Sequence, residues 1–297
     1  MATTDAVIVV DESELAPRIA LWRDVARRIS RNRLALVGGG IAVVVVVTGL
    51  LSIFWTPYLY WREALGPTFQ GPSLIHPLGL DAAGRDILSR LMLGAGIAIE
   101  VGVGTSLLVS AVGVTIGLLA GFYRGKLDIL ISTAINIWYG LPDLLVALIF
   151  VVLIGRGLQN IIFAITITRW MDMARLVRGQ TLSLREREFV EAARAIGTRD
   201  RWILFRHILP NALGPIIVQA TLLIPAAILL EAFLSYLGLG VQPPTPSWGA
   251  MAAQGFHSIQ IAPHIVLAPA LALSITLLGF NWLGDGLRDA LDPRMRR

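Results

Sequence analysis

The sequence predicts an all-helical protein with six membrane-spanning helices, and its composition and the grouping of its apolar residues lead to this prediction. Of the 297 residues, 55% are hydrophobic and 15% are charged, and the mean hydropathy is +0.70. A soluble globular chain has about 25% charged residues, and a domain of this size has too little interior to bury so much apolar surface. The composition therefore disfavours a soluble enzyme, a disordered chain and a nucleic-acid-binding protein.

The apolar residues form six runs close to the ~20 residues that a helix needs to cross a hydrocarbon core. These predicted spans are 34–55, 97–122, 129–154, 158–174, 213–237 and 265–283. The fourth run is the least apolar because it includes Arg169 and Asp172. Residues 34–297 accordingly form one six-span domain. Since the chain has no cysteine, a disulfide scaffold and a thiolate metal site are excluded.

The segment 1–33 precedes the first span and carries six arginines. Its apolar residues fall on one helical face and are Leu15, Ile19, Trp22, Ala26 and Ile29. A basic amphipathic helix next to a span typically lies in the membrane interface, and a mobile basic tail is the alternative. A secretory signal is excluded because the first apolar run is too long and no small-residue cleavage site follows it.

Lysine and arginine are concentrated on one side of the predicted spans. The N-terminal segment, the loops after the second and fourth spans and the C-terminal segment carry 20 of them, and the three opposite loops carry 4. Because cytoplasmic loops are enriched in these residues, we expect both termini in the cytoplasm. This orientation gives two long exterior loops, 57–96 and 238–262, and one large cytoplasmic loop, 175–210.

The cytoplasmic loop predicts two short helices joined by a turn. Residues 185–196 are mostly strong helix formers. Gly197 suits the left-handed position that ends a helix, and Pro210 marks the entry into the fifth span.

The same loop resembles the EAA signature of the membrane subunits of binding-protein-dependent ABC importers. The match runs from Glu191-Ala192-Ala193 through Gly197 to Leu209-Pro210, with His207 at a position that is usually apolar in the family. An ordinary basic cytoplasmic loop would explain the arginines but not this spacing. The resemblance implies that the loop is a coupling helix that docks on a separate ATPase subunit. The coupling residues it implies are Glu191, Ala192, Ala193, Arg194, Gly197, His207, Leu209 and Pro210.

Further segments resemble the C-type subunit of dipeptide and oligopeptide permeases. They are His76–Gly79 with Asp81, Gly84–Asp86, Ala174–Gln180, Leu237–Gly240, Pro243–Gly249 and Gly284–Asp289. The resemblance implies an exterior gate or binding-protein contact at Asp81, Arg85, Asp86, Pro244 and Trp248. Leu80 and Asn136 depart from the family pattern, which leaves the identity of the cargo open.

A few polar residues fall within the predicted spans, where an ionisable group is costly and usually faces protein or water. We take Asn136, Glu231 and Asn281 as candidates for the translocation path. Hydrogen bonding between helices is the alternative role for these side chains.

Together the resemblances imply a type I ABC importer permease fold in a bacterial inner membrane. The implied partners are a second homologous permease in a heterodimer, two ATP-binding subunits, an exterior substrate-binding protein and membrane lipid. The lone lysine, Lys126, lacks the glycine spacing of a P-loop, so we expect no cofactor on this chain, ATP and Mg²⁺ on the partner subunits, and no enzymatic activity of its own. The second-ranked interpretation is an ion-gradient-driven secondary transporter or channel. A membrane-embedded enzyme ranks third.

Overall fold

The computed structural model of the chain describes residues 18–291, and the regular structure in that range is helical, which confirms the predicted class. Within these residues, the β-type pairing is limited to one isolated antiparallel bridge between Leu80 and Asp86. The helices are α1 (Arg18–Ile29), α2 (Arg33–Phe54), α3 (Ile87–Tyr123), α4 (Gly125–Trp138), α5 (Asp143–Ile154), α6 (Leu158–Leu184), α7 (Glu188–Ala195), α8 (Asp200–Trp202), α9 (Leu209–Tyr236), α10 (Trp248–Phe256) and α11 (His264–Leu291).

Four helices are long and apolar enough to cross a membrane: α2, α3, α8 together with α9, and α11. A fifth is obtained if α4 and α5, which meet at an angle of 91°, form one broken span. α6 has 27 residues, but it carries charged side chains from Arg169 to Arg178. Four or five candidate spans are therefore present by length and composition in the part of the chain that the structure describes.

The segment predicted as the third span, 129–154, is divided into two helices. α4 ends at Trp138, and α5 begins after Pro142. Proline has no amide hydrogen and disfavours a helical conformation at the residue before it. The chain therefore turns between Tyr139 and Pro142 instead of continuing the helix.

Two predicted loops are shorter than expected because the neighbouring helices extend into them. α3 begins at Ile87, where the side chain of Asp86 accepts a hydrogen bond from the amide of Ser89 and caps the helix. α6 continues to Leu184, so the first ten residues of the predicted loop 175–210 are helical. In the N-terminal segment α1 is present, but Leu15 lies outside the described residues, and the interfacial position of this helix stays a prediction.

Small residues bring α3 and α6 into close contact along their length. A Cβ atom added at Gly113 would lie 2.6 Å from Met173 Cβ, and one at Gly121 would lie 2.6 Å from Thr181 Cβ. Nearer the start of both helices, Gly104 faces Ile162. Close backbone approach at small residues is typical of helices packed within membranes. Because the paired residue numbers rise together, α3 and α6 run in the same direction.

α9 and α11 run in the opposite direction to the helices on which they pack. On α3, Ser106 Oγ donates a hydrogen bond to the carbonyl of Ala220 at 2.7 Å, while Gly102 faces Ile224 and Ile228 further along α9. α2 packs on α11 with Gly38 against Gly279 and Ala35 against Gly286. These pairings give one bundle in which neighbouring helices have defined relative directions.

Candidate functional site

The segment that carries the EAA-like motif forms a short helix, a tight turn and the start of a long helix. α7 is followed by Gly197 with φ +79°, a conformation that residues with a side chain rarely adopt. The Gly197 amide donates to the Arg194 carbonyl at 2.9 Å, and the Thr198 amide donates to the Ala193 carbonyl at 3.0 Å. This pair of hydrogen bonds is a Schellman motif, which satisfies the last carbonyls of a helix. The structure thus has the helix, turn and helix that the sequence predicts here.

One face of α7 is packed firmly against the bundle. Val190 and Ala193 are buried in a cluster that includes Phe122 at the end of α3, Val177 of α6 and Ile208 ahead of α9. The other motif residues of α7 are solvent-exposed, namely Glu191, Ala192 and Arg194. Because such cores are close-packed, α7 and the ends of the long helices beneath it are packed as one unit.

Large apolar side chains project outwards around this turn. Phe189 is 39% exposed, Trp202 52%, Phe205 64% and Ile196 83%. We call these four residues the α7–α8 surface. An apolar group of this kind beside charged residues typically marks a protein–protein contact.

Arginines hold the turn to the end of α3. The guanidinium of Arg185 donates a hydrogen bond to the Phe122 carbonyl, and the Arg194 guanidinium carbon lies 5.5 Å from the centre of the Phe122 ring. Burial, together with the nearby charges of Arg124 and Arg194, lowers the pKa of Arg185. Arg124 in turn pairs with Glu186. The end of α3 is therefore tied to α7 and to the residues just before it by polar as well as apolar contacts.

The last residues of the predicted motif begin α9. Pro210 has no amide hydrogen to give to the preceding turn, and that turn, Ile203–Ile208, is π-helical, a form often found at functional sites. Asn211 Nδ2 donates to the His207 carbonyl at 2.6 Å, and the His207 ring lies 6.4 Å from the ring of Phe189. Leu209 packs against the buried cluster under α7. His207, Leu209 and Pro210 therefore connect the α7–α8 surface to the long helix.

On the opposite end of α3, Asp81 organises the loop that precedes this helix. Its Oδ1 accepts hydrogen bonds from the amides of Ala83 and Arg85 at 2.8 and 3.0 Å, and its Oδ2 accepts one from Arg85 Nε at 2.8 Å. Asp86 is fully buried and lies 3.0 Å from His76 Nδ1 while it caps α3. Asp81 and Asp86 thus fix the backbone of the loop and are not exposed for a contact with another protein.

Of the two predicted gate residues near α10, Pro244 is exposed and Trp248 is buried. The Trp248 indole donates a hydrogen bond to the Leu91 carbonyl at 3.1 Å and packs over Gly94, where a Cβ atom would lie 2.7 Å from the ring. The next residue, Gly249, packs against the backbone of Ala232. Trp248 therefore anchors α10 between α3 and α9.

The three residues predicted for the translocation path lie in three different environments, and no hydrogen bond joins them to one another within residues 18–291. Asn136 is exposed on α4 and accepts a hydrogen bond from Arg175 at 3.1 Å. Glu231 is buried, with Ser235 Oγ donating to its carboxylate at 2.5 Å, and Asn281 is exposed on α11. A shared path site made by these residues stays a prediction.

The sequence reasoning missed a set of polar contacts between α6 and the broken pair α4–α5, which we call the α4–α6 polar ladder. Its α6 members recur at intervals of three and are Arg169, Asp172, Arg175 and Arg178. Their partners, in the opposite order along the chain, are Asp143, Tyr139, Asn136 and Asp128. Representative distances are 3.2 Å for Arg169–Asp143 and 2.8 Å for Arg178–Asp128. The spacing of three, which makes each of these residues a neighbour of the next on the helix surface, was the available signal.

Comparison with known protein families decides the class of this chain. Residues 113–297 match a family described as a binding-protein-dependent transport system inner membrane component. The chain belongs to this family. Residues 20–72 also match the N-terminal transmembrane domain of oligopeptide transport permease C.

Curated relatives of this permease extend over nearly its whole length. The oligopeptide transport system permease protein OppC of Bacillus subtilis is 42% identical over 94% of this chain and 92% of the relative. The dipeptide transport system permease protein DppC of the same species is 42% identical over 96% and 90%. The glutathione transport system permease protein GsiD of Pectobacterium atrosepticum is 39% identical over 97% and 95%.

A solved structure supports the fold. The permease resembles a chain of the MetNI methionine ABC transporter, solved in inward-facing conformations, with a TM-score of 0.57 at 21% identity over 69% of the permease and 98% of that chain. The family match and the curated relatives show that this permease is a membrane component of an ABC importer, as the EAA-like spacing predicts, and they do not support the alternative of an ion-gradient-driven transporter.

Proposed function

We propose that this permease pairs with a second, homologous permease and that two ATP-binding subunits and an exterior binding protein complete an importer of dipeptides or oligopeptides. Its relatives bear the names of oligopeptide, dipeptide and glutathione systems, and this shared peptide chemistry supports the cargo class. ATP and Mg²⁺ bind on the partner subunits, and the permease itself carries out no covalent chemistry.

The observation that carries this proposal is the combination of an exposed α7–α8 surface with a rigid attachment beneath it. Ile196 and Phe205 are exposed, whereas Val190 and Ala193 are buried in the core under α7. An ATPase that binds this surface and changes shape would move the ends of α3 and α6. A two-state transporter requires ATP to favour one of its two states over the other, and this attachment supplies the mechanical link.

Six spans agree with the helix directions, whereas five spans without α6 would make α9 run in the same direction as α3; α6 itself lies alongside α3 from Gly104 to Gly121. The spans would be α2, α3, α4–α5, α6, α9 and α11. In that order α3 and α6 both run inward and α9 runs outward, in agreement with the parallel contact at Gly104–Ile162 and the antiparallel contact at Ser106–Ala220. The excess of arginine and lysine supports placing both termini, and the α7–α8 surface, in the cytoplasm.

Cysteine labelling should establish this topology, because the chain has no cysteine of its own. Glu63 and Gln242 are exposed in the two predicted exterior loops, and Lys126 is exposed in the first turn of α4. In intact cells, a membrane-impermeant maleimide should modify Glu63→Cys and Gln242→Cys but not Lys126→Cys. Permeabilised cells should give labelling of all three. Labelling of Lys126→Cys in intact cells would contradict the proposed orientation.

Purification from the native membrane in mild detergent tests the proposed assembly. We expect the tagged permease to bring a second permease and a P-loop ATPase with it in stoichiometric amounts. A permease with Ile196→Glu, which places a charge on the most exposed residue of the α7–α8 surface, should retain the second permease and lose the ATPase. Recovery of the wild-type chain alone, with no effect of nucleotide, would overturn the proposal.

A further inference from the structure

A cavity of about 310 Å³ lies beside the start of α3, where the loop before this helix meets α10 and α11. Its polar wall is formed by Asp81, Arg85, Arg90 and Gln254, and Met251 and Ile265 contribute an apolar wall. The site combines two guanidinium groups with apolar surface. None of these contacts is needed for the attachment of the α7–α8 surface at the other end of α3.

Arg90 is 2% exposed, yet few of its donors are used by the protein. One Nη donates to Gln254 Oε1 at 3.2 Å, and the other lies 3.5 Å from the Tyr60 carbonyl, the limit of a hydrogen bond. Its Nε is 3.7 Å from the nearest Asp81 oxygen. A guanidinium has five N–H groups. Three donors of Arg90 therefore have no hydrogen-bond partner among residues 18–291 and are free to bind a ligand.

Arg85 and Arg90 bind the same atom, the side-chain oxygen of Gln254. Arg85 Nη2 donates to Gln254 Oε1 at 3.3 Å, so a single amide oxygen sits between the two guanidinium groups. Asp81 is the one buried carboxylate among the lining residues. Glu63 lies 4.0 Å from Arg85, but its side chain is 65% exposed. The cavity therefore holds more positive than negative charge in a partly desolvated place, an arrangement that is costly unless an anion offsets it.

We propose that this cavity binds a carboxylate that carries an apolar chain. Arginine forks bind carboxylates through paired hydrogen bonds, and a carboxylate in the cavity would bind the Arg90 donors that Gln254 and Tyr60 leave unused. The wall formed by Met251 and Ile265 favours an organic acid over inorganic phosphate. Such a carboxylate has two sources at this end of the permease: the C-terminus of a peptide, or an acidic side chain of the exterior binding protein.

Butyrate and butyramide are matched probes, because they differ in charge but hardly in size. With the purified transporter complex, butyrate should raise the thermal unfolding midpoint in a saturable manner, and butyramide should not. Arg85→Gln and Arg90→Lys should each raise the half-saturating butyrate concentration by about tenfold or more, as expected for loss of a charged hydrogen bond. Arg62→Gln, an exposed arginine in the same loop, is the control and should bind butyrate normally.

Two further measurements distinguish the sources of the carboxylate, and they rest on the proposed function. If the peptide supplies it, Arg85→Gln should reduce uptake of free peptides more than that of amidated peptides. If the binding protein supplies it, Arg85→Gln should raise the binding-protein concentration that half-maximally stimulates ATP hydrolysis. Equal responses to butyrate and butyramide in the wild type would overturn the carboxylate site, even where ATP-driven uptake of peptides is normal.

Discussion

Replacing Gly197 with valine is expected to lower ATP-driven uptake by about tenfold or more while the permease remains in the membrane. Gly197 has φ +79°, and a residue with a side chain is disfavoured there by ~1–2 kcal/mol, which shifts an equilibrium by about five- to thirtyfold. A Cβ atom at this position meets nothing within 4 Å, so the strain is in the backbone and not in the packing. The turn should relax and redirect α8 relative to α7.

Matched variants separate the turn conformation from the added volume. Asparagine tolerates the left-handed region better than other residues with side chains, so Gly197→Asn should retain most of the uptake. Gly40→Val adds the same side chain to open space on α2, where no positive φ is required, and should transport normally. Uptake assays with immunoblots of the membrane fraction would test the series. Normal uptake by Gly197→Val would show that this turn does not couple the permease to its ATPase.

The helix and turn at 188–197 could be predicted because their determinants are local. The turn after α7 is closed by hydrogen bonds from the Gly197 amide to the Arg194 carbonyl and from the Thr198 amide to the Ala193 carbonyl, three and five positions back along the chain. The spanning helices were also predictable, since their composition leaves no other environment for them. Local sequence and composition therefore accounted for the class of the fold and for the helix and turn at 188–197.

What depends on distant contacts was not predictable in the same way. The resemblance implied a gate or binding-protein contact at Asp86 and Trp248, but a single sequence does not show that both are buried, with His76 and Leu91 as their hydrogen-bond partners. The break before Pro142 had a visible cause, but the 91° angle between α4 and α5 was not apparent from the sequence. The partners of the arginines in the α4–α6 polar ladder likewise come from another helix, and a single sequence does not show them.

Trp248→Ala should lower both the stability of the permease and its uptake, and we expect the loss of stability to be the primary effect. Trp248 is 4% exposed and packs over Gly94, and truncation of a buried aromatic side chain typically costs ~3–5 kcal/mol. The cavity left behind would loosen α10 from α3 and α9. The measurement is the thermal unfolding midpoint of the purified complex, followed by uptake and basal ATP hydrolysis at a temperature below both midpoints.

Trp248→Phe is the variant that separates anchoring from gating. Phenylalanine keeps most of the packing over Gly94 but loses the hydrogen bond to the Leu91 carbonyl, which is worth about 1 kcal/mol. If Trp248 is an anchor, the thermal unfolding midpoint should fall slightly for Trp248→Phe and strongly for Trp248→Ala. Uptake should then fall in the same order. A gate residue that moves during transport would instead give impaired uptake at an unchanged midpoint. Such a result for Trp248→Ala would restore the role that the sequence suggested and would imply that α10 leaves its place between α3 and α9 when the transporter opens.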